Sequence, residues 1–379
     1  MAGDPRRAAW QRIQLLVVVI DLAGGTGTFC RALAGGLKRF WGEEFEVSLL
    51  VLRERGLVEG DRGLFSRIHL IETKVHTDWR RVVETPIHAM RVRGAIGRIQ
   101  SDLIFTVGTY ANLLVPVVAP RRRVILSVHT NTTEQLKGGR FAGVIGRLMR
   151  WGYPRRRIVV PAEGVAEDLR KNFGVKDVKV ILHGVDVGKI QEMAEEGVLD
   201  LPGGRPYVVA CGRLTAQKDY PTLLRAYAKA RAGGVGEDLV IVGEGEDRAE
   251  LEKLAESLGV SEAVHFIGHR SNPFGYMKGA SFFVLSSIWE GFGLVVLEAM
   301  ALGLPCIATD CPSGPGEILD GGRCGVLVKV GDEAGLAEAI ARLSTSANLR
   351  ESLSQQSRQR AQELSLERMA GAYRDLFGS

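Results

Sequence analysis

The chain has 379 residues, about twice a typical single domain, so two domains are expected, each large enough to bury its own core. Hydrophobic residues at 45%, charged residues at 25% and 47 glycines against 13 prolines exclude a disordered, collagenous or disulfide-stapled chain. The net charge of +5 hides an asymmetry, because residues up to 190 carry 31 Lys and Arg against 18 Asp and Glu, and the remainder 18 against 26. A half of +13 beside a half of −8 points to an anionic partner for the first: nucleic acid, a membrane surface or a phosphorylated ligand. Solvated faces without a partner give the same sum.

The apolar runs Leu15–Ile20 and Val115–Ala119 are far shorter than the ~18 residues of a membrane span. The opening MAGDPRRAAWQRIQ has no apolar run before the first strand, so secretion is not expected and a cytoplasmic location is. Five cysteines without a Cys-x-x-Cys pair read as free, buried thiols in a reducing compartment, and not as a zinc or redox site.

Along the chain, short β-branched runs alternate with longer amphipathic ones, which is the pattern of βαβ units around parallel sheets. In the first half, strands are expected at Leu15–Asp21, Phe45–Leu52, Ile68–Ile71, Leu103–Val107, Val124–Val128, Ile158–Val160 and Val178–Leu182. Helices are expected at Phe29–Trp41, Trp79–Gln100 with a break at Pro86, Ala111–Val118, Phe141–Trp151 and Gly164–Phe173. In the second half, strands at Tyr207–Ala210, Leu239–Val242, Val264–Ile267, Phe282–Leu285, Cys306–Ala308 and Gly325–Val328 alternate with helices at Thr222–Ala232, Arg248–Leu258, Pro273–Gly279, Phe292–Leu302 and Glu333–Ser344. The fold class is therefore α/β with two doubly wound domains. A hinge is placed in 184–206, where Leu201-Pro202-Gly203-Gly204-Arg205-Pro206 forms the richest Pro/Gly cluster between the two alternating regions. Domain bounds of 1–187 and 188–360 follow, with the helical tail 361–379 expected to pack back on the first domain. Ligands of open parallel sheets bind outside the carboxyl ends of strands, so the chemistry belongs to loops that follow strands, in a cleft between two facing sheets.

The strongest constellation is SSIWEGFGLVVLEAMALGLP, starting at Ser286. A strand runs into a turn with Glu290, Gly291, Phe292 and Gly293, and the helix beyond it carries Glu298. Such a turn exposes amides of the first helical turn, about Phe292 to Val295, and adds roughly half a positive charge from the helix dipole, a setting for a phosphate. Beside a diphosphate, Glu298 and Glu290 would accept hydrogen bonds from hydroxyls, the first from a ribose and the second from a further sugar. A helix whose dipole simply favours early acids is the alternative for Glu298 alone.

The second constellation is CGRLTAQKDYPTLLRAYA, directly after the strand Tyr207–Ala210. Gly212 allows a tight turn, and Pro221 opens the next helix. Between them Arg213 and Lys218 offer a planar fork and a point charge, together enough to balance a diphosphate without a metal. Solvated loop charge is the alternative for each taken singly.

GRLTAQKD followed by Glu290, seven residues and Glu298 resembles the retaining glycosyltransferases of family 4, which have the GT-B fold. His183-Gly184-Val185-Asp186, Val242-Gly243-Glu244-Gly245, Val264-His265-Phe266-Ile267-Gly268, Asn272-Pro273 and ATDCPSGPGEIL at 308–319 extend the likeness from about 180 to 345. Before that it rests on Gly24-Gly25 and on His129. The resemblance implies two Rossmann-like domains whose parallel sheets face an interdomain cleft, with the acceptor on the N-terminal side. It implies that Arg213 and Lys218 hold a donor diphosphate, that Glu298 holds the ribose, and that Glu290 and amides of Gly291, Phe292, Gly293, Leu294 and Val295 serve the sugar and phosphates. It places the nucleobase against Gly268, His269 and Arg270, with Gly243 among the donor-side residues, His129 beside the reacting sugar, and Gly24 and Gly25 where backbone approaches donor and acceptor. Two departures fall on the acceptor side: GGTGT lacks the acidic-basic pair often seen after the double glycine, and Ala162-Glu163-Gly164 replaces Ser-Glu-Gly.

Competing motifs fail on spacing. Gly184–Lys189 has neither the length nor the Ser/Thr of a P-loop, and Gly24–Gly27 does not complete Gly-x-Gly-x-x-Gly. No Asp-x-Asp occurs, so neither a metal nor a cofactor is expected. His76, His88 and His265 lack ligand spacing, and Asn131-Thr132-Thr133 has no significance as a sequon in a cytosolic chain. Residues 137–157 place Phe141, Val144, Ile145, Leu148 and Trp151 at helical spacing among Arg140, Arg147, Arg150 and Arg155–Arg157, and 79–99 is similar. This reads either as an interfacial contact with an anionic membrane or as a helix packed on its own sheet with its arginines in water.

The expectation is a metal-independent retaining transferase, moving GlcNAc, GalNAc or a hexose from a UDP-sugar to a lipid-linked or cell-surface glycan precursor. Its partners would be the nucleotide sugar, the acceptor and an anionic membrane touched peripherally, with no nucleic acid. A GT-B sugar-nucleotide epimerase, and a non-enzymatic protein that binds anionic membrane or nucleic acid, are the other readings.

Overall fold

The computed structural model describes residues 12–53, 56–71, 80–137, 141–196 and 204–379. His76, Trp79 at the expected start of a helix, Arg140 and the hinge residues 197–203 lie outside them. In chain order the elements are β1 (Ile13–Val19), α1 (Gly24–Trp41), β2 (Phe45–Val51), α2 (Asp61–Leu64), β3 (Arg67–Leu70), α3 (Arg80–Arg98), β4 (Leu103–Val107), α4 (Thr109–Val118), β5 (Val124–Ser127), α5 (Thr132–Leu136), α6 (Ala142–Gly152), β6 (Arg157–Val160), α7 (Glu163–Phe173) and β7 (Val178–Val180). They continue with α8 (Val187–Ala194), β8 (Tyr207–Cys211), α9 (Tyr220–Ala232), β9 (Asp238–Val242), α10 (Arg248–Ser257), β10 (Val264–Gly268), α11 (Phe274–Lys278), β11 (Phe283–Leu285), α12 (Leu294–Ala301), β12 (Cys306–Thr309), α13 (Pro315–Ile318), β13 (Val326–Val328), α14 (Glu333–Thr345), α15 (Ala347–Glu363) and α16 (Leu366–Gly378).

The chain divides into two compact units: Met1–Pro161 with Val165–Leu182 and Leu366–Ser379, and Ala162–Gly164 with His183–Ser365. In the first, the described strands form a parallel sheet of order β3-β2-β1-β4-β5-β6-β7. In the second, the order is β10-β9-β8-β11-β12-β13, again parallel. Both sheets reverse strand order beside their first strand, so each has a switch point where the loops after its first and fourth strands diverge. Strands rich in apolar residues, such as Leu103–Val107 and Asp238–Val242, are buried along their whole length, as helices on both faces of a parallel sheet require.

The core of the first unit includes Val17, Phe29, Leu33, Phe105, Tyr373 and Phe377. The last two come from α16, whose rings stand 5.7 and 5.3 Å from that of Phe105. Arg374 donates from Nε and Nη2 to both oxygens of Glu44, at 2.7 and 3.0 Å. A fully buried aromatic contributes about 2–3 kcal/mol, so α16 belongs to this core and is not an appendage. Val208, Leu223, Tyr227, Leu239, Val284, Ile307 and Ile340 form the second core.

The start of α1, the course of α3 and the expected hinge depart from the sequence expectation. Helix α1 starts at Gly24 and not at Phe29, because the small residues of its first turn carry no apolar period while Gly27 lets the helix lie on the β1 loop; a Cβ there would meet the Leu22 carbonyl oxygen at 1.8 Å. Helix α3 runs through Pro86 without a break. The segment expected as hinge contains α8, which belongs to the second unit: Asp186 caps it through a bond from the Lys189 amide, and Gln191 Nε2 donates to the Ala301 carbonyl.

Candidate functional site

The second unit's switch point lies between β8 and β11, and the two motif loops leave the sheet there. The loop after β8 is pinned to the backbone of the neighbouring β9 loop: the Gly212 amide donates to Val242 O and the Leu214 amide to Glu244 O, both at 3.0 Å. Gly243 and Gly245 make this approach possible, since a Cβ on them would meet Gly212 O at 1.9 Å and Leu214 O at 2.0 Å. Asp219, at φ 47°, ends a single 3₁₀ turn of Ala216–Lys218 and caps α9 by accepting from the Thr222 amide. Three bonds then join this loop to the one after β11. Gln217 Nε2 donates to Trp289 O (2.9 Å), the Ile288 amide to Gln217 O (2.9 Å) and Ser286 Oγ to Lys218 O (2.7 Å).

The scaffold brings Lys218 Nζ to 2.5 Å from Glu290 Oε1, with side chains only 14% and 9% exposed. Ser287 Oγ donates to the same carboxylate oxygen at 2.7 Å. The backbone around Glu290 is held as firmly, by Ser313 Oγ on its carbonyl and by Thr309 Oγ1 on that of Ser287. Arg213 is exposed and, among the described residues, has no ion-pair partner, so its guanidinium is free for an incoming anion.

Gly293, in the left-handed region at φ 89°, turns the chain from Glu290-Gly291-Phe292 into α12, whose N-terminus no side chain caps. The helix begins at Leu294, two residues later than the sequence pattern implies. Its leading amides, Leu294 and Val295, therefore have no acceptor within the helix and no capping side chain, and they carry the positive end of the dipole. Gly314 permits the tight packing of the following loop, for a Cβ on it would meet Phe292 O at 2.0 Å. Glu298, one turn into α12, is half-buried, and burial lifts its carboxyl to about 7. Cys211 feels both Glu298 and Lys218, although burial is what chiefly pushes its thiol up to about 12. Lys218, Glu290, Glu298 and the α12 amides thus share one neighbourhood: an ion pair, a second carboxyl whose affinity for its proton burial raises, and an uncapped dipole.

Gly268 ends β10 at φ 80° and accepts from the Gly243 amide at 3.0 Å. His269 and Arg270 follow it, exposed, with the Arg270 guanidinium over the Tyr276 ring at 5.9 Å. Packing accounts for Gly243 as a glycine. His265 bonds Asp238 at 3.0 Å.

In the first unit, Gly24 and Gly25 form the uncapped start of α1, Gly24 at φ 61°; a Cβ on either would meet nothing within 4 Å. The protein itself does not need that space. His129 follows β5; its Nε2 lies 2.6 Å from Ser127 Oγ, and its ring 4.3 Å from that of Phe29. Burial pushes its imidazole down to about 3, so it is neutral throughout the physiological range. The ¹⁵N shifts of the His129 ring should therefore hold constant between pH 5 and 8, and a transition centred near the usual histidine value would overturn that assignment.

Sequence reasoning missed Ser287, Thr309 and Ser313, which fix Glu290. It also missed Glu317, whose carboxylate accepts from the amides of Glu163 (2.6 Å) and Gly164 (3.2 Å). They lie inside the stretches SSIWEGFG and ATDCPSGPGEIL, but nothing in the residue pattern gives them these roles.

Residues 23–189 match the family described as Glycosyltransferase Family 4, and residues 192–360 that described as Glycosyl transferases group 1. The chain is 25% identical over 327 residues, 84% of it and 87% of the relative, to the Campylobacter jejuni N-acetylgalactosamine-N,N'-diacetylbacillosaminyl-diphospho-undecaprenol 4-alpha-N-acetylgalactosaminyltransferase. It is 31% identical to the lipopolysaccharide core biosynthesis glycosyltransferase LpsE of Rhizobium meliloti, over 59% of this chain and 64% of that one. Among solved structures, sucrose-phosphate synthase from Thermosynechococcus elongatus superposes with a TM-score of 0.80 at 20% identity, covering 96% of this chain and 99% of that one. Anabaena Alr3699/HepE, solved with UDP and glucose, gives 0.80 at 16%, covering 97% and 100%. These likenesses show the GT-B fold, and with both family matches in chain order across two Rossmann-like sheets, the chain belongs to the family 4, group 1 glycosyltransferases.

Proposed function

We propose that this glycosyltransferase is retaining and metal-independent, and that it moves GlcNAc, GalNAc or a hexose from a UDP-sugar to a hydroxyl of a lipid-linked or cell-surface glycan precursor. It would work in the cytoplasm, peripherally at the inner face of a membrane. The observation that carries this reading is the Lys218–Glu290 pair beside the uncapped α12 amides, at the switch point of the second sheet. A donor diphosphate would take Lys218 and Arg213 in the role a divalent ion plays elsewhere, releasing Glu290 to the hydroxyls of the sugar. Glu298 would hold the ribose, and Gly268–Arg270 the base. The C. jejuni relative is named for transfer to a diphospho-undecaprenol glycan and HepE was solved with UDP-glucose, which supports the donor and acceptor classes.

In the proposed transfer the acceptor oxygen bonds to the anomeric carbon on the face from which the diphosphate leaves. The bond from that carbon to the diphosphate oxygen breaks, and the acceptor's proton passes to the departing diphosphate. Lys218, Arg213 and the α12 amides stabilise the charge that grows there.

Thermal-shift measurement against a panel of nucleotide sugars should single out UDP-sugars, because a ligand that binds only the folded state raises stability as ln(1+[L]/Kd). Transfer should proceed unchanged in EDTA, with the donor's anomeric configuration kept in the product by NMR. A strict requirement for Mn²⁺, or an inverted product, would defeat the proposal. Isomer formation from UDP-sugar alone would identify an epimerase instead.

A further inference from the structure

Helix α6 has two apolar faces. Gly146 and Met149 turn into the first unit and are buried, as the core-facing stripe of a surface helix should be. Phe141, just before the helix, and Val144, Leu148 and Trp151 on it are 49, 55, 48 and 66% exposed. At roughly 100° per residue these four fall within an arc of about 80°, on the side opposite Gly146 and Met149. A single exposed leucine needs no explanation, but a stripe of four large residues pointing away from the core does.

The stripe continues onto the neighbouring helix. Between α4 and α6 lies a cavity of about 440 Å³, whose lining includes Pro116, Val117, Leu148 and Trp151 together with Arg155 and Arg156; Val117 is 64% exposed. The charge of this stretch of sequence is predominantly positive. Residues 103–162 contain ten Lys and Arg and a single acid, Glu134, and Lys137 already pairs with it at 2.6 Å. Among the described residues no carboxylate pairs with Arg147, Arg155 or Arg156, and the Arg155 guanidinium lies over the Trp151 ring at 5.6 Å, at the edge of the apolar stripe. This accounts for +9 of the first half's +13.

We infer that the α4–α6 face docks on an anionic phospholipid bilayer: the stripe of Phe141, Val144, Leu148 and Trp151 enters the headgroup–acyl boundary, the cavity takes the apolar part of a lipid, and Arg147, Arg155 and Arg156 meet lipid phosphates. An amphipathic helix binds in this way through buried apolar area and attraction to anionic lipid together. A soluble apolar partner would leave Arg147, Arg155 and Arg156 without a counter-charge, and a second copy of this chain would set these three cations against their own copies. The inference deepens the proposed function by naming the surface that holds the enzyme near a lipid-linked acceptor, and it rests on that reading only for the acceptor's location.

The test is flotation of the full chain with vesicles of phosphatidylcholine alone or with 30–40% phosphatidylglycerol, roughly the range in which surface potential becomes appreciable. Binding is expected to the anionic vesicles, weakening as salt rises from about 0.1 to 1 M. Leu148→Glu with Trp151→Glu should reduce it by about tenfold or more. Replacing Arg147, Arg155 and Arg156 by glutamine should reduce it by roughly fivefold for each arginine lost. Melting temperature and the shift produced by UDP check that each variant is folded with its donor site intact; should the glutamate pair unfold the protein, Trp151→Ser alone carries the test. Lys218→Ala should float like the wild type, so loss of transfer with retained flotation faults the proposed chemistry and not this surface. Equal binding to neutral vesicles, no binding, undiminished binding by the variants, or a dimer in lipid-free buffer that Trp151→Glu dissociates would each overturn the inference.

Discussion

Lys218→Ala is expected to lower transfer by roughly 10²–10³, the usual cost of removing one donor to the charge that develops in a transition state. The same substitution also destabilises the ligand-free protein, and the two effects have to be separated. Without its ammonium, Glu290 keeps one hydrogen bond, from Ser287, on a side chain that is only 9% exposed. Stranding a charge in such a place costs about 3 kcal/mol. Lys218→Met combined with Glu290→Gln removes both charges, so melting should recover to near the wild-type temperature while transfer remains at the level of Lys218→Ala or below. The measurements are melting temperature and initial rate at saturating donor, on both variants. If the double variant regains the rate to within about tenfold, Lys218 serves only to neutralise Glu290, and its contact with the diphosphate is wrong.

The pair behind that prediction was legible in the sequence as two motifs about 70 residues apart, but not as a contact. Residue types and their positions after strands mark Lys218 and Glu290 as members of a site, because a parallel sheet gathers its ligand loops at the carboxyl ends of its strands. That the two neutralise each other before any ligand arrives depends on Gln217, Ser286 and Ile288 tying the loops together, and those bonds involve main-chain atoms that no residue pattern encodes. The glycines divide in the same way. Gly293 is readable as a turn, whereas the need for Gly243 comes from the 1.9 Å between its missing Cβ and another loop's carbonyl. Amphipathic period located α6 within one residue, yet period alone does not say which of two apolar faces turns inward. Gly146 and Met149 take the core side, and the apolar Leu148 and Trp151 are left outside, a choice that hydrophobicity alone does not make. Helix α8 was hidden by the Pro/Gly cluster beyond it, which drew the hinge over eight residues with good helical period and an Asp cap.

Glu298 carries the second large effect, and its sign runs against intuition. Burial raises its carboxyl from 4.5 to about 7 in the folded protein, while the unfolded chain restores the ordinary value. Below pH 4.5 both states hold the proton and the group costs nothing. As pH rises from 4.5 through 7, the unfolded chain has released a proton that the folded protein still binds, so stability falls, by about 3 kcal/mol once pH exceeds 7. Glu298→Gln keeps the shape without the charge, and is therefore expected to melt above the wild type at pH 8 and together with it at pH 4.5. The same substitution should weaken donor binding, because the hydrogen bonds from ribose hydroxyls proposed for Glu298 are stronger to an ionised carboxylate than to a neutral amide. The shift in melting temperature produced by UDP should shrink in the variant at pH 8, and in the wild type UDP should bind more tightly at pH 8 than at pH 6. A variant that is no more stable than wild type at pH 8 would show that Glu298 is ionised without cost in the free enzyme. A variant that is stabilised but binds UDP undiminished would remove Glu298 from the donor site, leaving the α12 amides, Arg213, Lys218 and the Gly268–Arg270 loop to hold the nucleotide.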